Sequence, residues 1–285
     1  MENAQDTIKP HWINRTSPLF VVQHQPESNV ISKTGIIILN SGFLHNVGPY
    51  RLSIDIANIL SSFGFVVIRV DQSGKGDSPP RHDIVGLDAK LADFDDVYEN
   101  LRMNFGITNC ILIGLCSGAD DGLEIANQRK SVSGLVFLDG FCPVTIGYYA
   151  NHYFTRLRYI RSWLRWKQEI RKQNKRIQTS SKKSQANIAE YTSGMSLRRW
   201  QSESTVKSMY ESILKRGTKV MAVFSGDTGD YYNHQGQLLN GIKSPKGILH
   251  EIYFREATHI YTNHEYRIHL VESIGNWIAS EFNHK

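Results

Sequence analysis

The sequence predicts an α/β protein whose mostly parallel sheet carries helices on both faces. Three observations support this prediction. Short, continuous apolar runs alternate with longer segments of helical periodicity, which is the pattern of repeated strand–helix units. The apolar runs show no polar alternation, as expected of strands that are buried on both sides. A small turn with glycines at both ends, Gly114 and Gly118, lies between one of these runs and the helical segment after it.

Up to that turn the predicted elements alternate regularly. Strands are predicted where apolar residues run together, at 19–22, 35–40, 65–70 and 110–113. Between them, apolar residues recur at helical spacing over 49–62 and 87–105, so each segment should place one apolar face on the sheet. Gly64 follows the first of these helices and can adopt the left-handed conformation that ends a helix.

After the turn, the alternation continues once and then stops. A helix is predicted over 119–128 and a buried strand over 132–138. The sheet pattern resumes with strands at 220–224 and 248–254, and a helix over 265–282 closes the chain. The segment between them is too long for a plain loop. We therefore predict a core formed by 1–147 and 216–285, with a helical cap inserted at 148–215.

The predicted cap is aromatic and strongly basic. Residues 156–183 include eleven Lys and Arg residues and one acidic residue, so this window has a charge of +10. The whole chain has a net charge of +6, so the rest of it carries −4. Such a segment could steer an acidic acyl carrier protein or the phosphates of coenzyme A to the site. A solvated helix face would explain the same charges. Binding to anionic lipid or to nucleic acid is a further alternative, although we expect no nucleic-acid partner.

The composition argues against secretion, a membrane span and a metal centre. Residues 1–15 are polar and charged, and no run approaches the roughly 18 apolar residues of a membrane span. Three cysteines, Cys110, Cys116 and Cys142, are too few for a disulfide framework, which favours a cytoplasmic location. No metal-ligand spacing is present, so we expect neither a metal nor another cofactor.

Gly114-Leu115-Cys116-Ser117-Gly118 has the spacing of the nucleophile elbow of α/β hydrolases. The turn is so tight that the residues two before and two after the nucleophile must be tiny. Cys116 is therefore the predicted nucleophile, because the start of a helix favours a thiolate and a nearby histidine would complete its activation. Two alternatives remain: Cys116 as a small buried apolar residue, and Ser117, one position off register, as the nucleophile.

The order nucleophile, acid, histidine predicts the other catalytic residues. His259 lies between the last predicted strand and the last helix, and His264 is a fallback at the start of that helix. Asp139 ends the strand after the elbow helix, whereas Asp227 and Asp230 follow a later strand. Either position can present a carboxylate to the histidine, and each aspartate could instead simply cap its loop.

The loop Asn40-Ser41-Gly42-Phe43 follows a predicted strand. In this kind of site, one backbone N–H from that loop and one from the residue after the nucleophile form the oxyanion hole. The N–H groups of Phe43 and Ser117 are the predicted donors. A second loop, 71–78, contains a Gly-x-Gly sequence, but two prolines follow it. We interpret this loop as a structural turn and not as a phosphate-binding loop.

Over nearly its whole length the chain resembles the α/β-hydrolase superfamily. The loop 40–51 and the Gly-Leu-Cys-Ser-Gly elbow resemble those of the exosortase-system-associated hydrolases, and the cysteine elbow is also similar to that of dienelactone hydrolases. Leu138-Asp139-Gly140-Phe141 resembles the strand end that carries the acid in thioesterase domains of polyketide and nonribosomal-peptide synthesis. These resemblances imply a Cys116–Asp139–His259 triad and favour Asp139 over Asp230. The chain departs from the usual pattern because it lacks a His-Gly oxyanion motif.

Together, these residues and resemblances predict an enzyme that uses a cysteine nucleophile to cleave or transfer an acyl group. The substrate would be a small-molecule ester or thioester, and the resemblance implies a thioesterase or acyltransferase, with a role in natural-product biosynthesis. Amide-forming transfer is as compatible with the chemistry as hydrolysis is, because an acyl-cysteine is open to attack by amines. The alternatives are a general small-ester hydrolase and a protein that binds membranes or nucleic acid through the basic aromatic cap.

Overall fold

A computed structural model of the protein describes residues 7–26, 32–157 and 202–282. The strands of these ranges are β1 (Ile8–Asn14), β2 (Pro18–His24), β3 (Thr34–Ile38), β4 (Val67–Val70), β5 (Asn109–Leu115), β6 (Val132–Leu138), β7 (Lys219–Ser225) and β8 (Leu249–Phe254). The helices are α1 (Leu52–Ser62), α2 (Leu87–Phe105), α3 (Ser117–Gln128), α4 (Ile146–Leu157), α5 (Glu203–Lys215), α6 (Gln237–Gly241) and α7 (His264–Phe282).

The strands form one sheet in the order β1-β2-β4-β3-β5-β6-β7-β8. Strands β3 to β8 run parallel to one another, and β2 pairs antiparallel with both β1 and β4. The predicted mostly parallel α/β sheet is therefore confirmed. Strand β1 was not predicted, because Pro10 interrupts its sequence and only Ile13 of its seven residues is buried at this exposed edge.

Helices cover both faces of the sheet, as predicted. On one face, α1 and α7 pack against each other and bury residues such as Leu60 and Ile274 over the strands. On the other face, α2, α3 and α5 bury residues such as Leu101, Leu123 and Tyr210. Alternate residues of each parallel strand contribute to the two clusters, since successive side chains of a strand point to opposite faces. The uninterrupted apolar runs of the sequence follow from this double burial.

The carboxyl ends of the central strands meet at one edge of the sheet. Leu115 at the end of β5 pairs with Leu138 at the end of β6, and Leu138 pairs with Val223 near the end of β7. The loops that follow these strands are therefore neighbours. This arrangement, together with the loops after β3 and β8, brings all the predicted catalytic segments to the same edge.

The predicted cap lies largely outside the described residues, and so does most of its basic segment. Its two described helices are α4, which begins it, and α5, which ends it. Helix α5 packs directly on the sheet, where Val206, Tyr210 and Ile213 join the same cluster as β6 and β7. The division of the chain at 147 and 215 stays a prediction.

Candidate active site

Cys116 occupies the sharp turn between β5 and α3. Its backbone has φ 59° and ψ −120°, a conformation that is strained for any residue with a Cβ. The flanking glycines make the turn possible: a Cβ on Gly114 would lie 2.1 Å from the carbonyl oxygen of Gly118, and a Cβ on Gly118 would lie 2.3 Å from that of Asn40. Because no side chain fits at either position, the glycines of the motif are required by packing.

The turn holds the Cys116 side chain between the sheet and solvent. The backbone N–H of Cys116 donates to Leu138 of β6 over 2.8 Å, and the residue is partly buried. Helix α3 begins at the next residue, so the sulfur lies at the positive end of a twelve-residue helix. By contrast, Cys110 and Cys142 are fully buried, and burial raises the pKa of both thiols.

His259 and Asp139 lie together beside this cysteine. Nδ1 of His259 donates to Oδ2 of Asp139 over 2.9 Å. Hydrogen bonds to Asp139 and then to Cys116 raise the pKa of His259 to about 10, and they outweigh the burial that lowers it. The imidazole is therefore protonated at neutral pH, and it contacts a carboxylate on one side and the sulfur on the other.

The carboxylate of Asp139 is held by strand β7 as well as by the histidine. The side chain is fully buried. Its Oδ1 accepts the backbone N–H of Ser225 over 2.6 Å, and its Oδ2 accepts the Ser225 hydroxyl over 2.6 Å. Asp139 has a positive φ of 47°, and its carbonyl oxygen accepts the hydroxyl of Tyr231 over 3.0 Å. Ser225 and Tyr231 were not singled out from the sequence, because nothing in their local pattern points to the acid.

The other candidate acids and the fallback histidine are placed differently. Oδ2 of Asp227 accepts the backbone N–H of His259 over 2.8 Å and so caps the loop of the histidine. Asp230 is exposed, and its carbonyl oxygen accepts the hydroxyl of Tyr148. Among the hydrogen bonds of the described residues, none joins the Asp230 carboxylate to His259. His264 is exposed at the start of α7, where its ring contacts Arg267.

The two predicted oxyanion donors are Phe43, in the loop after β3, and Ser117, the first residue of α3. Gly42 has a positive φ of 56°, and its own N–H donates to Oγ of Ser117 over 2.9 Å. This hydrogen bond connects the loop after β3 to the first residue of α3. Within the described ranges, no protein acceptor takes the N–H of Phe43 or of Ser117. Both groups are therefore available to a ligand, and the hydroxyl of Ser117 is already in use as an acceptor.

Beneath the loop after β3 lies a buried polar cluster that sequence reasoning missed. Asp71, at the end of β4, is fully buried and accepts N–H groups from Asn40 and Asn46. Arg69 donates in turn to the backbone and side-chain oxygens of Asn46. Asn40 ends one apolar run and Asp71 directly follows another, which was a signal in the sequence, but the two residues lie 31 positions apart in the chain.

The same cluster contains the described residues that come nearest to a metal-binding group. His45, Asp71 and Asp77 place one potential ligand atom each within 4.8 Å of one another. The Asp71 oxygens, however, already accept four N–H donors. A carboxylate whose acceptor positions are filled by such donors is a poor ligand for a cation, so this geometry points to a structural role.

A strained cysteine in the turn between a parallel strand and a helix, with a buried aspartate and a histidine at the same sheet edge, is typical of the α/β hydrolases. Residues 32–219 match the family described as serine aminopeptidase, S33, and the chain belongs to that family. The family name refers to a serine, whereas this chain has Cys116 at the centre of its elbow. None of the curated proteins matches the chain.

Solved structures share the fold at low sequence identity. An esterase from Pyrococcus furiosus is 14% identical with a TM-score of 0.61, and the match covers 96% of this chain and 90% of that one. The thioesterase domain from the curacin biosynthetic pathway is 16% identical with a TM-score of 0.56, covering 94% and 99%. A dienelactone hydrolase from Anabaena variabilis is 11% identical with a TM-score of 0.54, covering 96% and 98%.

None of the described helices is long and apolar enough to cross a membrane.

Proposed function

We propose that the protein is a cysteine-dependent acyl-transfer enzyme in which Cys116, His259 and Asp139 form the catalytic triad. One observation carries the proposal: a cysteine at the strained elbow contacts a histidine whose other ring nitrogen lies 2.9 Å from a buried carboxylate. In such an arrangement the cysteine proton passes to the imidazole, because the carboxylate stabilises the imidazolium. The start of α3 stabilises the thiolate that remains.

The first half of the reaction forms an acyl-enzyme. The Cys116 thiolate attacks the carbonyl carbon of an ester or thioester, and the carbonyl oxygen becomes an oxyanion. The N–H groups of Phe43 and Ser117 donate to that oxyanion. The bond to the leaving group then breaks, and the protonated Nε2 of His259 gives its proton to the departing alkoxide or thiolate. The product of this step is an acyl-cysteine thioester and a neutral histidine.

The second half returns the enzyme to its resting state. Neutral His259 takes a proton from water, an alcohol or an amine as that acceptor attacks the acyl-cysteine. The tetrahedral adduct collapses, the carbon–sulfur bond breaks, and the thiolate and imidazolium are restored. A thioester substrate suits this cycle, because the acyl-enzyme is itself a thioester and little leaving-group energy is lost in forming it.

The surroundings of the site favour an acyl group with apolar character. Phe43 and Leu44, beside one proposed oxyanion donor, expose nearly half of their surface, and Ile260, next to the histidine, is also exposed. The thioesterase and esterase folds reported above are consistent with such a substrate but do not identify it. An acyl carrier protein or coenzyme A as partner, a biosynthetic role, kinship with the exosortase-system-associated hydrolases and a cytoplasmic location all stay predictions.

Turnover of matched substrates tests the proposal. We expect wild-type protein to release acid from acyl thioesters, and we expect Cys116→Ala to lose turnover while keeping the wild-type melting temperature. Turnover by Cys116→Ala at the wild-type rate would contradict the proposal. A preference for p-nitrophenyl esters over carrier-linked thioesters would point to a general small-ester hydrolase instead.

A further inference from the structure

We infer that Asp71 is a positioning residue for the oxyanion hole, and this inference rests on the proposed function. Asp71 does not touch the reacting atoms. It lies at the end of β4 and holds both ends of the loop 40–46, which carries the Phe43 N–H. The proposed role is to fix where that N–H points, so that it meets the oxyanion as it forms.

The buried carboxylate of Asp71 needs hydrogen-bond donors around it. Asp71 is fully buried, and a carboxylate in such a place is strongly destabilising unless donors surround it. Four N–H groups do so: Oδ1 accepts Nδ2 of Asn40 over 2.8 Å and the backbone of Asn46 over 2.7 Å. Oδ2 accepts Nδ2 of Asn46 over 2.9 Å and the backbone of Asp77 over 3.2 Å. Three of the four donors belong to the loop 40–46.

Asn40 and Asn46 cannot turn their side chains away from Asp71. Oδ1 of Asn40 accepts the N–H of Gln72 over 2.7 Å, and its amide also donates to the carbonyl oxygen of Leu44 over 2.9 Å. Oδ1 of Asn46 accepts from the buried Arg69 over 2.8 Å. Each amide therefore has partners on both its oxygen and its nitrogen. The loop is held at both ends, on either side of the exposed Phe43.

The second glycine of the Gly-x-Gly sequence in the loop 71–78 lies against the carboxylate of Asp71. Gly76 has a positive φ of 52°, and a Cβ there would lie 2.3 Å from the carboxyl carbon of Asp71. The backbone thus closes tightly over the carboxylate and supplies the Asp77 donor. On the opposite side, the hydrogen bond from Gly42 to Ser117 joins the loop 40–46 to the elbow. The Phe43 amide lies between these two attachments.

Two reactions of Cys116 test this role, because one needs an oxyanion hole and the other does not. Alkylation by iodoacetamide requires the thiolate, whereas acylation by a thioester also requires a donor to the developing oxyanion. For Asp71→Asn, we expect the alkylation rate to stay within about twofold of wild type. We expect the acylation rate to fall by roughly tenfold to a hundredfold, since loss of one such donor costs a factor of that order or more.

Matched variants keep the test independent of folding. Asp77→Asn changes an exposed carboxyl of the same loop and leaves the backbone donor in place, so both rates should match wild type. Asn46→Ala removes one donor to Asp71 and is a milder change if Asp71→Asn does not fold; its acylation rate should fall and its alkylation rate should not. Equal losses in both rates, or no loss in acylation, would overturn the inference. If wild-type Cys116 neither alkylates nor acylates, the proposed function has failed instead.

Discussion

At the scale of single residues, the proposal of Asp139 as the acid rests on the burial of its carboxylate and on the groups that hold it. Asp139 lies at the buried end of β6, between His259 and the two donors of Ser225 on β7. Asp230 lies on an exposed loop, and its backbone carbonyl, not its carboxylate, accepts the hydroxyl of Tyr148. A buried carboxylate acts strongly on a neighbouring imidazolium, while an exposed one is screened by solvent.

We expect Asp139→Asn to lower the acylation rate by about a hundredfold or more, because the histidine loses its charged partner. Asp230→Asn is the matched control and should leave the rate near wild type. Single-turnover measurement of the acylation rate with one thioester for all three proteins tests the assignment. A larger loss in Asp230→Asn than in Asp139→Asn would move the acid to the loop after β7.

The pH dependence of the same variants gives a second prediction. In wild type the raised pKa of His259, about 10, keeps the imidazolium present as pH rises. Asparagine carries no charge, so the pKa of His259 should fall towards its ordinary value and the proton should be lost at lower pH. The alkaline limb of the acylation rate should therefore begin at lower pH in Asp139→Asn than in wild type. Coincident alkaline limbs would show that Asp139 does not set the protonation of His259.

At the scale of elements, the elbow is the feature that the sequence predicts most completely. A tight turn between a strand and a helix needs very small residues at fixed positions, and two glycines at that spacing are visible without any structure. Helix α3 begins at Ser117, two residues before the predicted start at residue 119. The strands were predicted well where both faces are buried. Strand β1 and the short helix α6 were not predicted, because neither has a sustained apolar pattern.

Gly114→Ala should destabilise the protein by roughly 1–3 kcal/mol or prevent it from folding, as overpacking of a tight site does. The added methyl group would lie 2.1 Å from a backbone oxygen that cannot move without disturbing α3. Gly229→Ala is the matched control, since the nearest atom there is 3.8 Å away. Urea denaturation of the three proteins measures the difference. Equal stability of Gly114→Ala and wild type would mean that the elbow is more open than described.

At the scale of the whole molecule, the parts of the site that sequence reasoning could not supply depend on long-range contacts. The Asp71 cluster joins residues from the loops after β3 and β4, and Ser225 reaches Asp139 across 86 positions of the chain. Local patterns predict strands, helices and turn glycines, because these depend on neighbouring residues. They do not specify which buried polar side chains meet, since that depends on strand order and register. Resemblance to thioesterase domains favours Asp139 over Asp230 as the acid. The hydrogen bonds of the Asp139 carboxylate to Ser225 and His259 are an independent reason for the same proposal.

A buried ion pair of the same long-range kind supports the sheet edge at β1 and β2. Arg81 donates to Asp93 over 2.7 Å and to Asp96 over 2.9 Å, and it also contacts Thr16 in the turn between β1 and β2. Arg81→Met should lower the free energy of unfolding by about 3 kcal/mol, because it leaves buried carboxylates without their cation. Arg102→Met, which removes an exposed pair with Glu99, should have a much smaller effect in the same denaturation experiment. Equal effects would show that the Arg81 pair is no more important than a surface pair.

Mass spectrometry of the intact protein, quenched in acid shortly after mixing with a panel of acyl thioesters, tests the central claim most directly. We expect wild-type protein to gain the mass of one acyl group, this group to map to Cys116, and Cys116→Ala to gain none. The mass would also identify the class of acyl group accepted. Turnover without any acylated protein, or the same adduct on Cys116→Ala, would contradict the claim that this sulfur is the nucleophile.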